Sequence, residues 1–434
     1  MRSGDRLGIG LCGLGTVGRG VVALLAANGD VIARRAGRKL EIVRVASRTP
    51  RPDVDLHGAA FGTDVFAVAR DPQVDVVVEL IGGTTAARDL FEAAIAAGKH
   101  VVTGNKALLA EAGRTLLPKA RAARRAVGFE AAVAGGIPIV KTVREGLAGN
   151  RIEWIAGIIN GTSNFILTAM TEHGRSFDDA LAEAQKLGYA EADPTFDVEG
   201  VDAAHKLAIL AALAFDVPMD AKAVFCEGIR HVTAEDIEYA AQLGYRVKHL
   251  GIARRGAQGV ELRVHPSLIP VERLLADVDG VMNAVVVHSD AVGSSLYYGP
   301  GAGALPSASA VLADLIDLAR GNLAPPAQAN EATRVLEMAD VETAYYLRIP
   351  AVDQPGVLAR VAMILAENAI SIEAVIQREQ AIRIENGRSW VPVIILTHRV
   401  REAAMNRAVA AIQALPEVVA PIMRIRVEPL DDHA

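Results

Sequence analysis

Five carboxylates and one lysine crowd into a single stretch, GYAEADPTFDVEGVDAAHK at 188–206: Glu191, Asp193, Asp197, Glu199 and Asp202, then Lys206. On a helix starting near Val201, Asp202 and Lys206 are four residues apart and share a face. A solvated pair of this kind contributes only about 0.3–0.5 kcal/mol and is the ordinary explanation of the spacing. The residues that follow argue otherwise. Apart from His205 the pattern is apolar as far as Phe215, so the helix is mostly buried and its few charges must face a cleft or pair off. Carboxylates facing a cleft can clamp an ammonium group, and a lysine partly desolvated beside another cation can carry a proton.

A second constellation lies near the N-terminus, where GLCGLGTVGRG contains Gly13-x-Gly15-x-x-Gly18 between a strand pattern and a helix pattern. Gly13 permits the tight turn, Gly15 lets the backbone approach a pyrophosphate, and Gly18 lets helix and strand pack closely. Gly13, Gly15, Thr16, Val17 and Gly18 are thus the positions expected against a dinucleotide, with a plain strand–helix turn as the alternative. The acid usually found about 20 residues on, which holds a ribose 2′-hydroxyl, is missing. The second strand ends in VASRTP, with Arg48 in its place. An arginine there suits a 2′-phosphate and hence NADP(H), with NAD(H) possible; a surface arginine is the competing reading. Lys106 in TGNKALLA falls at the carboxyl edge of the same sheet, either as a site lysine or as a solvated one at a helix start.

These side chains need elements to hold them. LGIGLCG (7–13), EIVRVAS (41–47), VDVVVELIG (74–82) and KHVVTG (99–104) read as buried strands, with helices at 16–28 and 85–98. Alternation of this kind implies a parallel, Rossmann-like sheet with helices on both faces. From about residue 142 the rhythm changes to helices (176–188, 201–215) and strand patterns (259–270, 282–301), an α+β domain, after which the helix at 305–320 returns to the first sheet. The expected domains are therefore 1–141 with 300–322, then 142–299, a proline-containing linker at 323–344, and 345–434. The last reads strand, helix, strand, strand, helix, strand, the ferredoxin-like βαββαβ order.

Bulk composition narrows the partners. The chain has 434 residues, 51% hydrophobic and 22% charged, with a formal net charge of −6. That balance argues against nucleic acid or an anionic membrane as partner. Two cysteines form no disulfide framework and fit a reducing cytoplasm. The longest clean apolar run, LAILAALAF, is far short of the ~20 residues of a membrane helix, and no signal-peptide pattern precedes the glycine loop. The expectation is a cytoplasmic, soluble, multidomain protein.

The acidic stretch, the glycine loop, TGNKALLA, FEAAVAGGIPIV, INGTSNFIL and YYGPGAG together resemble homoserine dehydrogenases, over nearly the whole chain. The C-terminal part resembles an ACT domain, a regulatory amino-acid sensor. The resemblance implies interconversion of L-homoserine and L-aspartate 4-semialdehyde with NAD(P)(H), in threonine, methionine and isoleucine biosynthesis. It implies that Lys206 exchanges the substrate's proton and that Lys106 lies near the nicotinamide and the same oxygen. Glu191 and Asp202, with Asp197, would hold the amino end, Thr162 and Tyr189 would line the pocket, and Gly188 and Gly303 would contact the cofactor. A sodium-like cation is implied at Glu130, Val133, Gly135 and Ile137, three of them through backbone carbonyls. L-Threonine as effector and a homo-oligomer, dimer or tetramer, are implied as well. Two rivals differ in class. A phosphorylating semialdehyde dehydrogenase needs a nucleophilic cysteine, and a silent amino-acid sensor would need none of the lysines and carboxylates.

Overall fold

The computed structural model describes residues 6–323, 333–378, 383–385 and 388–431. Residues 324–332 of the expected linker lie outside them, as do 379–382, 386–387 and 432–434 of the expected C-terminal domain. The chain forms two compact units. One gathers Met1–Ile155, Ala204–Val224 and Met282–Arg334; the other gathers Ala156–Ala203, Phe225–Val281 and Val335–Ala434.

The first unit is built on a six-stranded parallel sheet. Its strands are β1 (Arg6–Cys12), β2 (Lys39–Ala46), β3 (Ala60–Gly62), β4 (Val76–Glu79), β5 (His100–Thr103) and β6 (Val127–Gly128), in the order β3-β2-β1-β4-β5-β6. The order reverses between β1 and β4, the position where open α/β sheets bind ligands at their carboxyl edge. Helices α1 (Thr16–Ala36), α2 (Val65–Arg70), α3 (Thr85–Ala96) and α4 (Lys106–Ala122) make the crossovers. Leu7, Ile9, Leu11, Val76 and Val78 are sealed by Val21 and Val22 of α1 and by Ala308, Val311, Leu312 and Leu315 of the helix Ala304–Arg320. Each such apolar side chain contributes roughly 1.5–3 kcal/mol of burial. By length and composition α1 passes for a membrane span, yet Gly18, Gly20, Val21, Val22, Ile32 and Ala36 bury one face of it in this core. It runs eight residues beyond the expected end because Asn28 only kinks it (φ −118, ψ 16) and the turn closes at Gly37 in the left-handed region.

The second unit contains the antiparallel hairpin Tyr245–Gly256 and Gly259–Pro270 and the βαββαβ segment. The strand Met423–Val427 pairs in parallel with Gly259–Pro270 (Ser267 with Arg426, Leu268 with Val427), and beyond it the order is Glu342–Val352, Arg388–Thr397, Ile372–Gln377. The C-terminal segment thus continues the hairpin's sheet. Buried charges lock the seam. Arg426, 0% exposed, donates to Glu402 at 2.6 and 2.9 Å and to Glu227 at 2.8 Å. Arg263 pairs with Glu428. Arg348 and the Tyr346 hydroxyl both donate to Asp236, itself the capping-box residue of the helix Ala234–Gln242.

Burial alone would raise the Glu402 pKa, but the bonds and charge of Arg426 hold it below its ordinary value. A depressed carboxylate contributes stability that is complete above its unfolded pKa, about 4.3, and is lost as pH falls through the folded value. Glu402→Ala leaves the buried Arg426 guanidinium with Glu227 alone and should destabilise the chain by about 3 kcal/mol in urea unfolding at pH 7. The variant's stability should then fall less steeply with acid than the parent's. Equal stabilities at pH 7 would mean that Arg426 is satisfied without Glu402.

Candidate active site

In the first unit the glycine loop has the geometry its spacing predicts. Gly13 sits at φ +103, its N–H donates to the Ala46 carbonyl at 2.8 Å, and a Cβ there would come within 2.4 Å of the Leu80 carbonyl oxygen. A Cβ on Gly18 would lie 2.0 Å from the Gly13 carbonyl. Gly15 is the N-cap of α1 with no side-chain cap, and space beside it is open. The first amides of a long helix therefore face outward with Gly15 and Thr16 exposed and Val17 half-buried, a cradle that fits a pyrophosphate. Arg48 is exposed just past the end of β2.

A buried lattice fixes the neighbouring edge. Glu79, fully buried at the end of β4, accepts from the Thr103 hydroxyl at 2.6 Å and the Ile81 amide at 3.0 Å. Thr103 Oγ1 accepts from the Asn105 amide, while Asn105 caps α4 and donates to the Gly83 carbonyl at 2.7 Å. Lys106 follows, half-buried at the first position of α4. A cation at a helix N-terminus opposes the macrodipole, so its location is not explained by helix stability. Glu79 and Asn105 escaped the sequence reading, one inside an apolar strand run and one beside a more conspicuous lysine.

The loop after β6 has a different chemistry. Glu130 is buried, and its carboxylate accepts from the Val140 and Lys141 amides at 2.9 and 2.8 Å. Its own N–H donates to Asp314, also buried. Burial pushes both carboxyls up to about 7. Gly135 donates to the Gly301 carbonyl, and Ile137 to that of Ala134. Each Glu130 carboxylate oxygen takes one amide and keeps a second lone pair, so a cation on Glu130, Val133, Gly135 and Ile137, three of them through backbone carbonyls, would meet only oxygen donors, which suits a hard monovalent ion. Among the described residues no group of three or more His, Cys, Asp or Glu is placed to hold a metal. Gly303, at φ +134, opens the helix Ala304–Arg320.

The helix Val201–Phe215 carries Asp202, 4% exposed, and one turn later Lys206, 9% exposed; Leu207 to Ala211 are all buried. Within the second unit, the five acids separate into distinct roles. Asp193 accepts from the Thr195 amide, and Glu199 pairs with Arg230 at 2.9 Å. Asp197 and Asp202 are joined by Asn160, whose amide nitrogen donates to Asp197 Oδ1 at 2.7 Å and to Asp202 Oδ2 at 2.8 Å. Thr162 Oγ1 lies 2.7 Å from the Tyr189 carbonyl and 3.2 Å from Asp197 Oδ2. The Tyr189 ring is exposed and packs on Phe165. Glu191 and Gly188 are exposed, and the Glu191 carboxylate takes no part in the Asn160 cluster. Between the two carboxylates, Gly200 turns at φ +84, where a Cβ would press on Cys226 Sγ, His249 and Val264 at 2.9–3.1 Å. Burial pushes the Cys12 thiol up to about 12; Cys226 lies at the surface, its Sγ on the Glu199 carbonyl with desolvation there and the Glu199 and Glu227 carboxylates pushing its thiol up, the opposite of what a nucleophilic cysteine needs.

Comparison with known proteins agrees with this geometry. The profile of the homoserine dehydrogenase NAD-binding domain matches residues 13–130, that of homoserine dehydrogenase residues 138–316, and that of the ACT domain residues 345–417. A homoserine dehydrogenase of Pseudomonas aeruginosa is 54% identical over 98% of this chain and 99% of its own. The crystal structure of one from Thiobacillus denitrificans superposes with a TM-score of 0.92 at 53% identity, covering 98% and 99% of the two chains. A hyperthermophilic archaeal homoserine dehydrogenase in complex with NADPH matches with a TM-score of 0.63 at 25% identity, covering 74% of this chain and all of that one. With a dinucleotide cradle at one end, a C-terminal ACT domain at the other and relatives of this identity along its whole length, the chain belongs to the homoserine dehydrogenase family.

Proposed function

We propose that the chain interconverts L-homoserine and L-aspartate 4-semialdehyde with NAD(P)(H). The observation that carries this reading is a lysine 9% exposed on an apolar helix, one turn after a carboxylate that an amide joins to a second carboxylate. When bound, the nicotinamide supplies or accepts hydride at the substrate's alcohol carbon. Lys206 takes the hydroxyl proton in the oxidative direction and returns it to the aldehyde oxygen in the other, and Lys106 is assigned to the same oxygen. Asp202, Asp197 and Glu191 hold the ammonium group, with Thr162 and Tyr189 lining the pocket. Gly13, Gly15, Thr16, Val17, Gly18, Gly188 and Gly303 serve the cofactor, and Arg48 its 2′-phosphate, so that NADP(H) is preferred over NAD(H). The archaeal relative solved with NADPH supports that preference. Glu130, Val133, Gly135 and Ile137, three of them through backbone carbonyls, are assigned to a sodium-like cation. The working form is a cytoplasmic homo-oligomer, dimer or tetramer, in threonine, methionine and isoleucine synthesis.

The ACT segment is assigned to L-threonine. Gly356, at φ +90, opens the helix Val357–Glu367, which has no side-chain cap, after the DQPG turn; the Val357 amide donates to the Gln354 carbonyl, and the amides that follow would meet a ligand carboxylate. Inhibition can be no larger than threonine's differential affinity for two states of the enzyme. Removing the segment would unpair buried charges, so the informative variant keeps the full chain.

Three measurements test these assignments. Lys206→Met should lower homoserine-dependent NADP+ reduction by at least about 10²–10⁴-fold with the cofactor still bound; near-parent turnover removes Lys206 from proton transfer. Arg48→Asp should shift the NADP+/NAD+ ratio of kcat/KM toward NAD+, and an unchanged ratio makes Arg48 a surface residue. Gly356→Val should abolish threonine inhibition while leaving uninhibited turnover near the parent value. If threonine inhibits both proteins equally, it competes with homoserine instead.

A further inference from the structure

Asn160 is 5% exposed and uses every polar side-chain atom it has. Its Oδ1 accepts from the Ser163 amide at 2.8 Å, capping the helix Gly161–His173. Its two amide hydrogens go to Asp197 and Asp202, which belong to different helices, Thr195–Val198 and Val201–Phe215. Capping does not explain the choice of residue, because serine, threonine or aspartate caps a helix as well. What only asparagine adds at this length is two donors in the plane of the cap oxygen.

Two carboxylates brought this close repel, and one tends to take up a proton unless something bonds to the charged forms. A lysine or arginine between them would relieve the repulsion but would neutralise the negative charge that attracts an ammonium group. An aspartate would add a third like charge. A neutral amide donating to both holds the two carboxylates at a fixed separation without placing a cation between them. Thr162 adds a further donor beside Asp197: its hydroxyl lies 2.7 Å from the Tyr189 carbonyl and 3.2 Å from Asp197 Oδ2, so its one proton serves both acceptors.

We propose that Asn160 is a positioning residue for substrate recognition, holding Asp197 and Asp202 as one paired acceptor for the α-ammonium group of a small amino acid. The proposal rests on the reading of these carboxylates as the ammonium site. Asn160→Ser and Asn160→Asp keep the cap oxygen and lose the donors, whereas Asn160→Ala loses both. The homoserine KM should rise at least about tenfold in the serine and aspartate variants, the loss of about 1.4 kcal/mol. The NADP+ KM should stay within about twofold, and the melting temperature of Asn160→Ser should stay near that of the parent. If serine and aspartate behave as the parent and only alanine is impaired, Asn160 is a helix cap and the proposal is overturned. It is equally overturned if cofactor and homoserine KM rise together, or if both cap-keeping variants fail to fold. A parent that does not oxidise homoserine at all would instead remove the functional reading, so the two failures are distinct.

Discussion

Charge taken out of water has to be answered by a partner, and that requirement organises this molecule more than any single hydrophobic contact. Removing an ion from solvent costs several kcal/mol even after relaxation, so each buried charge here carries a built surround. Glu79 receives a hydroxyl and an amide. Glu130 receives two amides at the start of a helical turn. Asp197 and Asp202 share one amide group, and Arg426 spans two carboxylates. The apolar clusters supply most of the favourable burial. The charged groups decide which arrangement of those clusters is allowed, because a slipped strand would leave one of them unpaired.

The parallel sheet converts that requirement into a ligand site. Reversal of strand order between β1 and β4 leaves an edge where the chain must turn away on both sides. Gly13 closes against Leu80 on one side, and the Glu79–Thr103–Asn105 lattice closes the other. Both β4 and β5 end in a polar residue at paired positions, Glu79 opposite Thr103. The bond between them fixes the register of the edge from which α4 and Lys106 start.

Much of this was legible from residue order. Long apolar strands declare themselves by composition, and the Gly13–Gly18 spacing has few other uses once strand and helix flank it. β3 and β6 were not legible, since three and two residues are too few to show a period. The extent of α1 was misjudged because Asn28-Gly29 looks like a terminator, whereas burial of Ile32 and Ala36 carries the helix on. Lys206 and Asp202 could be singled out because they stand on a greasy helix. Asn160 could not, because an asparagine before a helix already has a sufficient local explanation, and its partners lie 37 and 42 positions away. The seam at Arg426 is hidden for the same reason: Glu227 is 199 positions distant.

That seam reaches the acidic loop. Glu227 lies in a short segment packed against the acidic loop: Cys226 Sγ donates to the Glu199 carbonyl, the Ile229 amide to that of Val198, and Arg230 holds the Glu199 carboxylate. On its other side Glu227 meets Arg426 of the strand Met423–Val427, which also holds Glu402 at the start of the helix Glu402–Gln413. Contiguity of this kind is not itself coupling, which requires two discrete states that both ligands bias. It does limit what those states can be. A shift of the last strand that kept Arg426 on Glu402 must either carry Glu227 with it or leave that carboxylate unpaired. Since Glu227 is tied through its backbone to Val264 and His249, moving it disturbs the seat of Gly200, the turn between Asp197 and Asp202. The same rule that buried charges stay paired therefore joins the C-terminal segment to the carboxylates assigned to the substrate.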